Sequence, residues 1–288
     1  MGLLQDRVAL ITGGARGMGR AHAVTCAREG AHVILFDVPG ELEGVGYGTA
    51  TTSDLKETVG LVEEHGRRAI AVEGDTRSQA ALDGAVSAAL DAFGRLDIAI
   101  ANAGIWSRGP KFWELTEAQW DQMIAINLTG TWKTVKAVAP VMTERRSGSI
   151  VVTGSINGLE PGDHYTHYST SKHGVLGLMK NMALELSPYG VRCNAICPGA
   201  TDTPLANHQQ AYDMFAGHEG GTVEEWSEGG YRYNALAGRS WLDPQTMADA
   251  ALFLNSDLAS AITGATVPVD AGHLLLPGFN HAPVRADS

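Results

Sequence analysis

Tyr168 and Lys172 stand four positions apart in the run Tyr168-Ser169-Thr170-Ser171-Lys172. On a helix that spacing is roughly one turn, so both side chains share a face. A free phenol ionises near pH ~10, too high for a base at neutral pH. An ammonium held beside it stabilises the phenolate and lowers that value. The pair could then take a proton from an alcohol or return one to a carbonyl. Upstream, Ser155 closes the run Val151-Val152-Thr153-Gly154-Ser155, and its hydroxyl could hold the oxygen that gains or loses the proton. A tyrosine and a lysine at this spacing also suit a solvated helix face, so their meaning depends on what else the chain carries.

A second group of residues is suited to an anion. The turn after the first apolar run reads Thr12-Gly13-Gly14-Ala15-Arg16-Gly17-Met18-Gly19. Glycines allow a tight passage from strand to helix and a close approach of backbone to a pyrophosphate. The helix that follows offers free N–H groups and the positive end of its dipole. The spacing is TGxxxGxG rather than the commoner GxGxxG. Asp37 ends the next apolar run. A carboxylate there accepts both ribose hydroxyls of NAD and repels the 2′-phosphate of NADP. Arg16 in the turn pulls toward NADP, but Asp37 is expected directly at the ribose and outweighs it. Asn102-Ala103-Gly104 follows the fourth run and leaves room for a flat ring and its ribose. Asp75, followed by Thr76, comes after the third and could bond an adenine amino group or simply make a turn.

The elements that must position these residues follow from hydrophobic patterning. Strands are expected over 8–12, 32–37, 69–73, 96–101, 149–153, 191–196 and 265–269. Helices are expected over 18–29, 54–64, 79–93, 117–141, 168–187 and 244–254, with Thr116 and Gln119 forming a capping box. Alternating strand and helix predicts an α/β fold, a doubly wound parallel sheet of the Rossmann type, as a single domain over 1–288. Two stretches fall outside the alternation, an insertion at 39–53 and a lid at 201–240. Connections this long are usually functional or disordered. The lid holds Tyr212, Phe215, Trp226, Tyr231 and Tyr233 but only Arg232 and Arg239 as cations. That composition suits an apolar alcohol better than a phosphorylated or carboxylated one; the same aromatics could instead pack against the domain. His164 and His167 flank the tyrosine and could line a pocket, but no carboxylate-rich cluster accompanies them, so no metal site is expected.

Composition narrows the classes further. The 288 residues suffice for one large α/β domain. Only 18% are charged, which excludes a charge-rich disordered chain. The net charge of -11 opposes a nucleic-acid backbone, which needs a basic face, and an anionic membrane surface. No apolar stretch reaches the roughly 20 residues that span a bilayer. Gly2-Leu3-Leu4-Gln5-Asp6-Arg7 lacks the basic-then-apolar order of a signal peptide, so a cytoplasmic protein is expected. Cys26, Cys193 and Cys197 are odd in number and form no CxxC pair; reduced, packed thiols are expected.

Together, TGxxxGxG, Asn102-Ala103-Gly104, Asn127-Leu128-Thr129-Gly130, Ser155, the Tyr168–Lys172 pair and Pro198-Gly199 resemble the short-chain dehydrogenase/reductase family over essentially the whole chain. The resemblance implies a tetrad. Tyr168 is the acid/base, and Lys172 lowers its pKa and bonds the nicotinamide ribose. Ser155 orients the substrate, and Asn127 anchors a water in a proton relay. It also implies that the segment from Pro198-Gly199 through Thr201 and Thr203 holds the nicotinamide carboxamide. Within the family, the segment from Tyr47 to Val59 resembles the insertion of mycofactocin-associated, carveol-dehydrogenase-like enzymes. That group implies a tightly held NAD re-oxidised in place by the peptide-derived cofactor mycofactocin. A homotetramer is expected from the family and from the apolar run Leu274-Leu275-Leu276-Pro277-Gly278-Phe279. The expected reaction is oxidation of a secondary alcohol to a ketone. Two alternatives stand beside it. An NADPH-dependent 3-oxoacyl-thioester reductase would want basic residues at the pocket mouth and is opposed by Asp37. A non-catalytic NAD(H)-binding regulator usually lacks the tyrosine or the lysine, and this chain keeps both.

Overall fold

Val8–Thr12 reads Val-Ala-Leu-Ile-Thr and is buried throughout, as a strand covered on both faces must be. In the computed structural model, which describes residues 2–42 and 44–286, six more strands join it in one parallel sheet. The chain runs β1 (Val8–Thr12), α1 (Gly17–Arg28), β2 (His32–Asp37), α2 (Thr52–Glu63), β3 (Ala69–Glu73), α3 (Gln79–Phe93) and β4 (Ile98–Ala101). It continues as α4 (Glu117–Met123), α5 (Gly130–Arg145), β5 (Gly148–Thr153), α6 (Thr166–Leu186) and β6 (Val191–Pro198). Last come α7 (Gln209–Ala216), α8 (Val223–Tyr233), α9 (Pro244–Asn255) and β7 (Thr266–Val269). The strand order is β3-β2-β1-β4-β5-β6-β7. It reverses between β1 and β4, and that reversal opens a crevice at the carboxyl ends of the strands. Pro268 sits in β7, an edge strand where a missing N–H is tolerated.

Alternate residues of each strand feed two cores. Leu10, Ile34, Phe36 and Val152 pack under α3, α5 and α6. Ile11, Val33, Leu35 and Val151 pack under α1, α2 and α9. The three cysteines are free and buried in these layers. Among the described residues no helix is long and apolar enough to cross a membrane.

Two regions differ from the sequence expectation. The helix expected over 117–141 is interrupted by a π-helical turn, Ile124–Thr129, before it continues as α5 to Arg145. Thr116 and Gln119 do form the expected capping box at its start. The lid contains two short helices, α7 and α8, and α8 begins with its own capping box of Thr222 and Glu225.

Phe36 ties the sheet to the crevice. It is fully buried, and its ring lies where a Cβ on Gly74 would come within 2.7 Å. It therefore packs directly under the turn that leads from Gly74 to Asp75 and Thr76. Truncation in Phe36→Ala is expected to cost about 3–5 kcal/mol. Urea unfolding followed by circular dichroism checks this; a loss below about 1 kcal/mol would show that the site collapses around the gap.

Candidate active site

The glycine turn has a shape that only glycine permits. Gly13 has φ +66°, and a Cβ there would meet Ala103 Cα at 2.9 Å. A Cβ on Gly19 would come within 1.8 Å of the Gly13 carbonyl. Gly19 thus lies under the turn and shapes it, while Gly13, Arg16, Gly17 and Met18 line the crevice. Asp37 stands at the end of β2 with one oxygen accepting from Ala15 N at 2.9 Å and the other from Val38 N at 2.8 Å. Each carboxylate oxygen keeps a further acceptor site toward the crevice. Burial raises the Asp37 pKa, against the lowering effect of these two N–H groups and the Arg16 charge. These features fit a dinucleotide with free ribose hydroxyls.

Other expected contacts have mixed roles. Asp75, Thr76, Ala103 and Gly104 line the crevice. Asp75 is also engaged by the backbone and guanidinium of Arg77 at 2.6–2.9 Å, and so acts partly as a turn residue. Asn102 does more than leave room. Its amide donates to the Thr12 carbonyl at 3.1 Å, joining the ends of β1 and β4. Pro198, Gly199, Thr201 and Thr203 line the wider part of the cleft.

Tyr168, Lys172 and Ser155 converge at that wider part. Ser155 follows β5 in extended backbone and accepts from Asn157 N at 3.1 Å. It is also hydrogen-bonded to the Tyr168 hydroxyl. Lys172 is buried; its Nζ donates to the Thr153 carbonyl at 2.9 Å and lies 5.8 Å from the Tyr168 ring centre. Asn127 sits in the π-turn, fully buried. Its Oδ1 accepts from Ile105 N at 2.8 Å, and its Nδ2 donates to the Ile105 carbonyl at 2.9 Å. The same amide reaches Ser171 Oγ at 3.3 Å, and Ser171 donates to the Tyr168 carbonyl at 2.7 Å. Ser171, unremarked in the sequence, therefore connects Asn127 to the tyrosine's own turn of helix.

Burial dominates the electrostatics. It pushes the Tyr168 pKa up to about 12, with the Ser155 hydrogen bond pulling the other way. It pushes Lys172 down to about 8. Burial is the largest influence on each group and moves each toward its uncharged form, although Tyr168 is only partly buried and lines the cleft.

The cleft widens into a cavity of about 1000 Å³. Phe215 and Tyr233 of the lid line it, together with Trp106 and Tyr165, which the sequence did not single out. Trp226 instead stacks on Trp241 at 4.1 Å inside the lid. His164 and His167 do not line the cavity; they brace the neighbouring loop through the Gly109 carbonyl and the Ser107 hydroxyl. The insertion at 39–53, apart from Glu43, which lies outside the described residues, crosses the crevice. Arg16 donates to the Gly48 carbonyl. Leu42 and Val45 pack with Ile105, Met123 and Ile126. The Tyr47 hydroxyl accepts from Trp106 N at 3.3 Å, and its ring lies 5.1 Å from that of His208 in the lid.

Comparison with known proteins agrees with this geometry. The family model described as short chain dehydrogenase matches residues 7–213. A (-)-trans-carveol dehydrogenase of Rhodococcus erythropolis is 43% identical, over 96% of this chain and all of its own length. An uncharacterised NAD-dependent oxidoreductase of Mycobacterium tuberculosis is 40% identical, over 95% of this chain and 98% of its own. Among solved structures, a carveol dehydrogenase from Mycobacterium avium in complex with NAD superposes with a TM-score of 0.93 at 38% identity, covering 96% of this chain and 100% of that one. A short chain dehydrogenase from Mycobacterium paratuberculosis bound to NAD gives 0.85 at 37% identity, with the same coverage.

The buried lysine has a measurable consequence. Its depressed pKa corresponds to a folding penalty on the order of 3 kcal/mol at pH 7, partly offset by the bond to Thr153. Because the folded pKa lies below the unfolded one, the penalty is complete below about pH 8 and fades as pH rises toward that of a free lysine. Lys172→Met is therefore expected to stabilise the cofactor-free protein by about 1–3 kcal/mol at neutral pH. The gain should shrink between pH 8 and pH 10, read as the difference in unfolding midpoints. A lysine variant less stable than the parent at pH 7 would refute this account.

Proposed function

The chain belongs to the short-chain dehydrogenase family, and from that premise we propose that it oxidises an apolar secondary alcohol to the ketone with NAD as hydride acceptor. The observation that carries this reading is the meeting of Ser155, Tyr168 and Lys172 where the crevice holding Asp37 opens into an aromatic cavity. Ser155 holds the alcohol oxygen, and Tyr168 takes its proton. Lys172 bonds the nicotinamide ribose and keeps positive charge beside the phenol. Asn127 fixes the π-turn behind them and anchors the water of the relay. When bound, oxidised nicotinamide supplies the hydride acceptor and a positive charge. That charge favours the phenolate that burial alone disfavours.

Gly13, Arg16, Gly17, Met18 and Gly19 form the pyrophosphate turn in this reading, and Asp37 holds the adenosine ribose. Pro198, Gly199, Thr201 and Thr203 hold the carboxamide. Asp37 is expected to make NAD the preferred cofactor over NADP, by single-turnover reduction with each; Asp37→Ala should erode that preference. Equal performance of NADP with the parent protein would overturn it. Tyr168→Phe is expected to lower hydride transfer on the order of 10²–10⁴-fold while NAD still binds. Near-normal turnover in that variant would remove Tyr168 from its role.

The insertion supports a second part of the proposal. Its contacts with Ile105, Trp106 and His208 make it a cover over the cofactor, so NAD leaves only when the cover opens. An acceptor such as mycofactocin then re-oxidises the cofactor in place. The purified protein is expected to release NAD(H) on denaturation. It should turn over slowly with added NAD alone and faster with an artificial electron acceptor. Purification without cofactor, together with rapid multiple turnover on free NAD, would overturn the cover. We place the enzyme in the cytoplasm as a homotetramer. Phe253, Leu258 and Leu275 are exposed and apolar, which supports burial between subunits.

A further inference from the structure

The cavity beside Tyr168 is larger than a single-ring alcohol needs. At about 1000 Å³ it stands at the top of the roughly 300–1,000 Å³ range of pockets that enclose drug-sized ligands. The nicotinamide takes its share at the end near Pro198 and Thr203. The remaining wall includes the aromatic and thioether side chains of Trp106, Tyr165, Met214, Phe215 and Tyr233. At the far end the cavity adjoins a second hollow of about 520 Å³, and the two share Glu228, Arg232 and Phe279.

The outer boundary of that hollow is the C-terminal segment, which is fastened to the lid. Asn280 N donates to the Arg232 carbonyl at 2.7 Å, and the Asn280 side chain donates to the Asn234 carbonyl at 2.9 Å. Gly238 N donates to the Val284 carbonyl at 2.7 Å. Arg285 forms an ion pair with Glu228 on α8. The segment is thus a strap across α8, and it sets Phe279 on the boundary between the two hollows. The Phe279 ring lies 6.5 Å from that of Tyr233 and remains 59% exposed. An aromatic ring held at a cavity boundary is suited to contact with an apolar ligand. The rim near it carries Glu224, Glu225 and Glu228 with Arg232 and Arg285, charges of both signs that favour neither an anionic nor a cationic tail.

We infer that the substrate is a neutral secondary alcohol larger than one ring, polycyclic in outline, whose distal end rests against Phe279 and the C-terminal strap. Phe279 is then a specificity-determining residue, and Asn280 positions it. This inference rests on the reading of the cavity as the alcohol site.

The test is a size series of cyclohexanol, a single-ring terpenoid alcohol, a fused bicyclic alcohol and a four-ring secondary alcohol. Turnover is followed with an artificial electron acceptor. In the parent protein kcat/KM is expected to rise about tenfold or more from one ring to several. In Phe279→Ala, and in Asn280→Ala, the ratio of kcat/KM for the four-ring alcohol to that for cyclohexanol should fall about tenfold, mainly through KM. A parent enzyme that handles one ring as well as four, or an unchanged ratio in both variants, overturns the inference. If no secondary alcohol is oxidised, the alcohol reading itself fails. Quenching of tryptophan fluorescence by a four-ring ketone then still decides the wall. Binding weakened in Phe279→Ala supports it, and equal binding overturns it.

Discussion

One buried amide holds the two sides of this site in register. After β4 the backbone leaves the sheet, and the N–H and carbonyl of Ile105 lose their ladder partners while staying enclosed. Buried backbone groups must be satisfied. Asn127 satisfies both with a single side chain, at 2.8 and 2.9 Å. To reach them it stands in a π-helical turn, which widens the helix by a residue and turns that side chain inward. Its amide also touches Ser171, one position before Lys172. The end of β4, the helix pair α4 and α5, and the helix carrying Tyr168 and Lys172 therefore share one polar junction. A shorter or apolar side chain there would leave Ile105 unpaired and uncouple the three.

This junction marks the limit of what the sequence revealed. The strands were legible because each is an apolar run flanked by turn residues, and a parallel sheet buried on both faces leaves no other pattern. The capping box of Thr116 and Gln119 was legible because it is a local exchange of hydrogen bonds. The π-turn was not, since apolar spacing over 117–141 looks the same whether or not one residue is extra. The lid helices were missed for a related reason. They are short, and α8 contains Gly229 and Gly230, which lower helical expectation. Gly229 is there because a Cβ would strike Phe215 at 2.7 Å, so the glycine records a close helix approach rather than a break. The capping box of Thr222 and Glu225 was the signal that could have found α8.

The candidate chemistry was legible by residue type but not by energy. Spacing alone put Tyr168 and Lys172 on one face, and α6 is tied to the end of β5 beside Ser155 by the bond from Lys172 Nζ to the Thr153 carbonyl. The sequence reasoning gave the ammonium the decisive effect on the phenol. Burial adds an opposing influence, since it disfavours phenolate and ammonium alike. The Lys172 charge is also directed at the Thr153 carbonyl, which leaves less of it for the phenol. With its pKa at about 8, Lys172 remains an ammonium at neutral pH while burial keeps the phenol protonated, so a further positive charge beside Tyr168 would favour the phenolate.

The insertion extends this coupling to the other half of the cleft. Its first anchor, Arg16, belongs to the glycine turn. Further along, Tyr47 meets the Trp106 backbone and the His208 ring, and the Trp106 ring lines the cavity. Trp106 in turn lies 5.7 Å from Tyr165, and Tyr165 lies 6.3 Å from Tyr168. An unbroken path of packed rings thus runs from the insertion through His208, Trp106 and Tyr165 to Tyr168. Packed aromatic contacts have discrete arrangements, so a shift in one favours a shift in its neighbour. The insertion and the lid therefore meet in one packed ring cluster that reaches Tyr168.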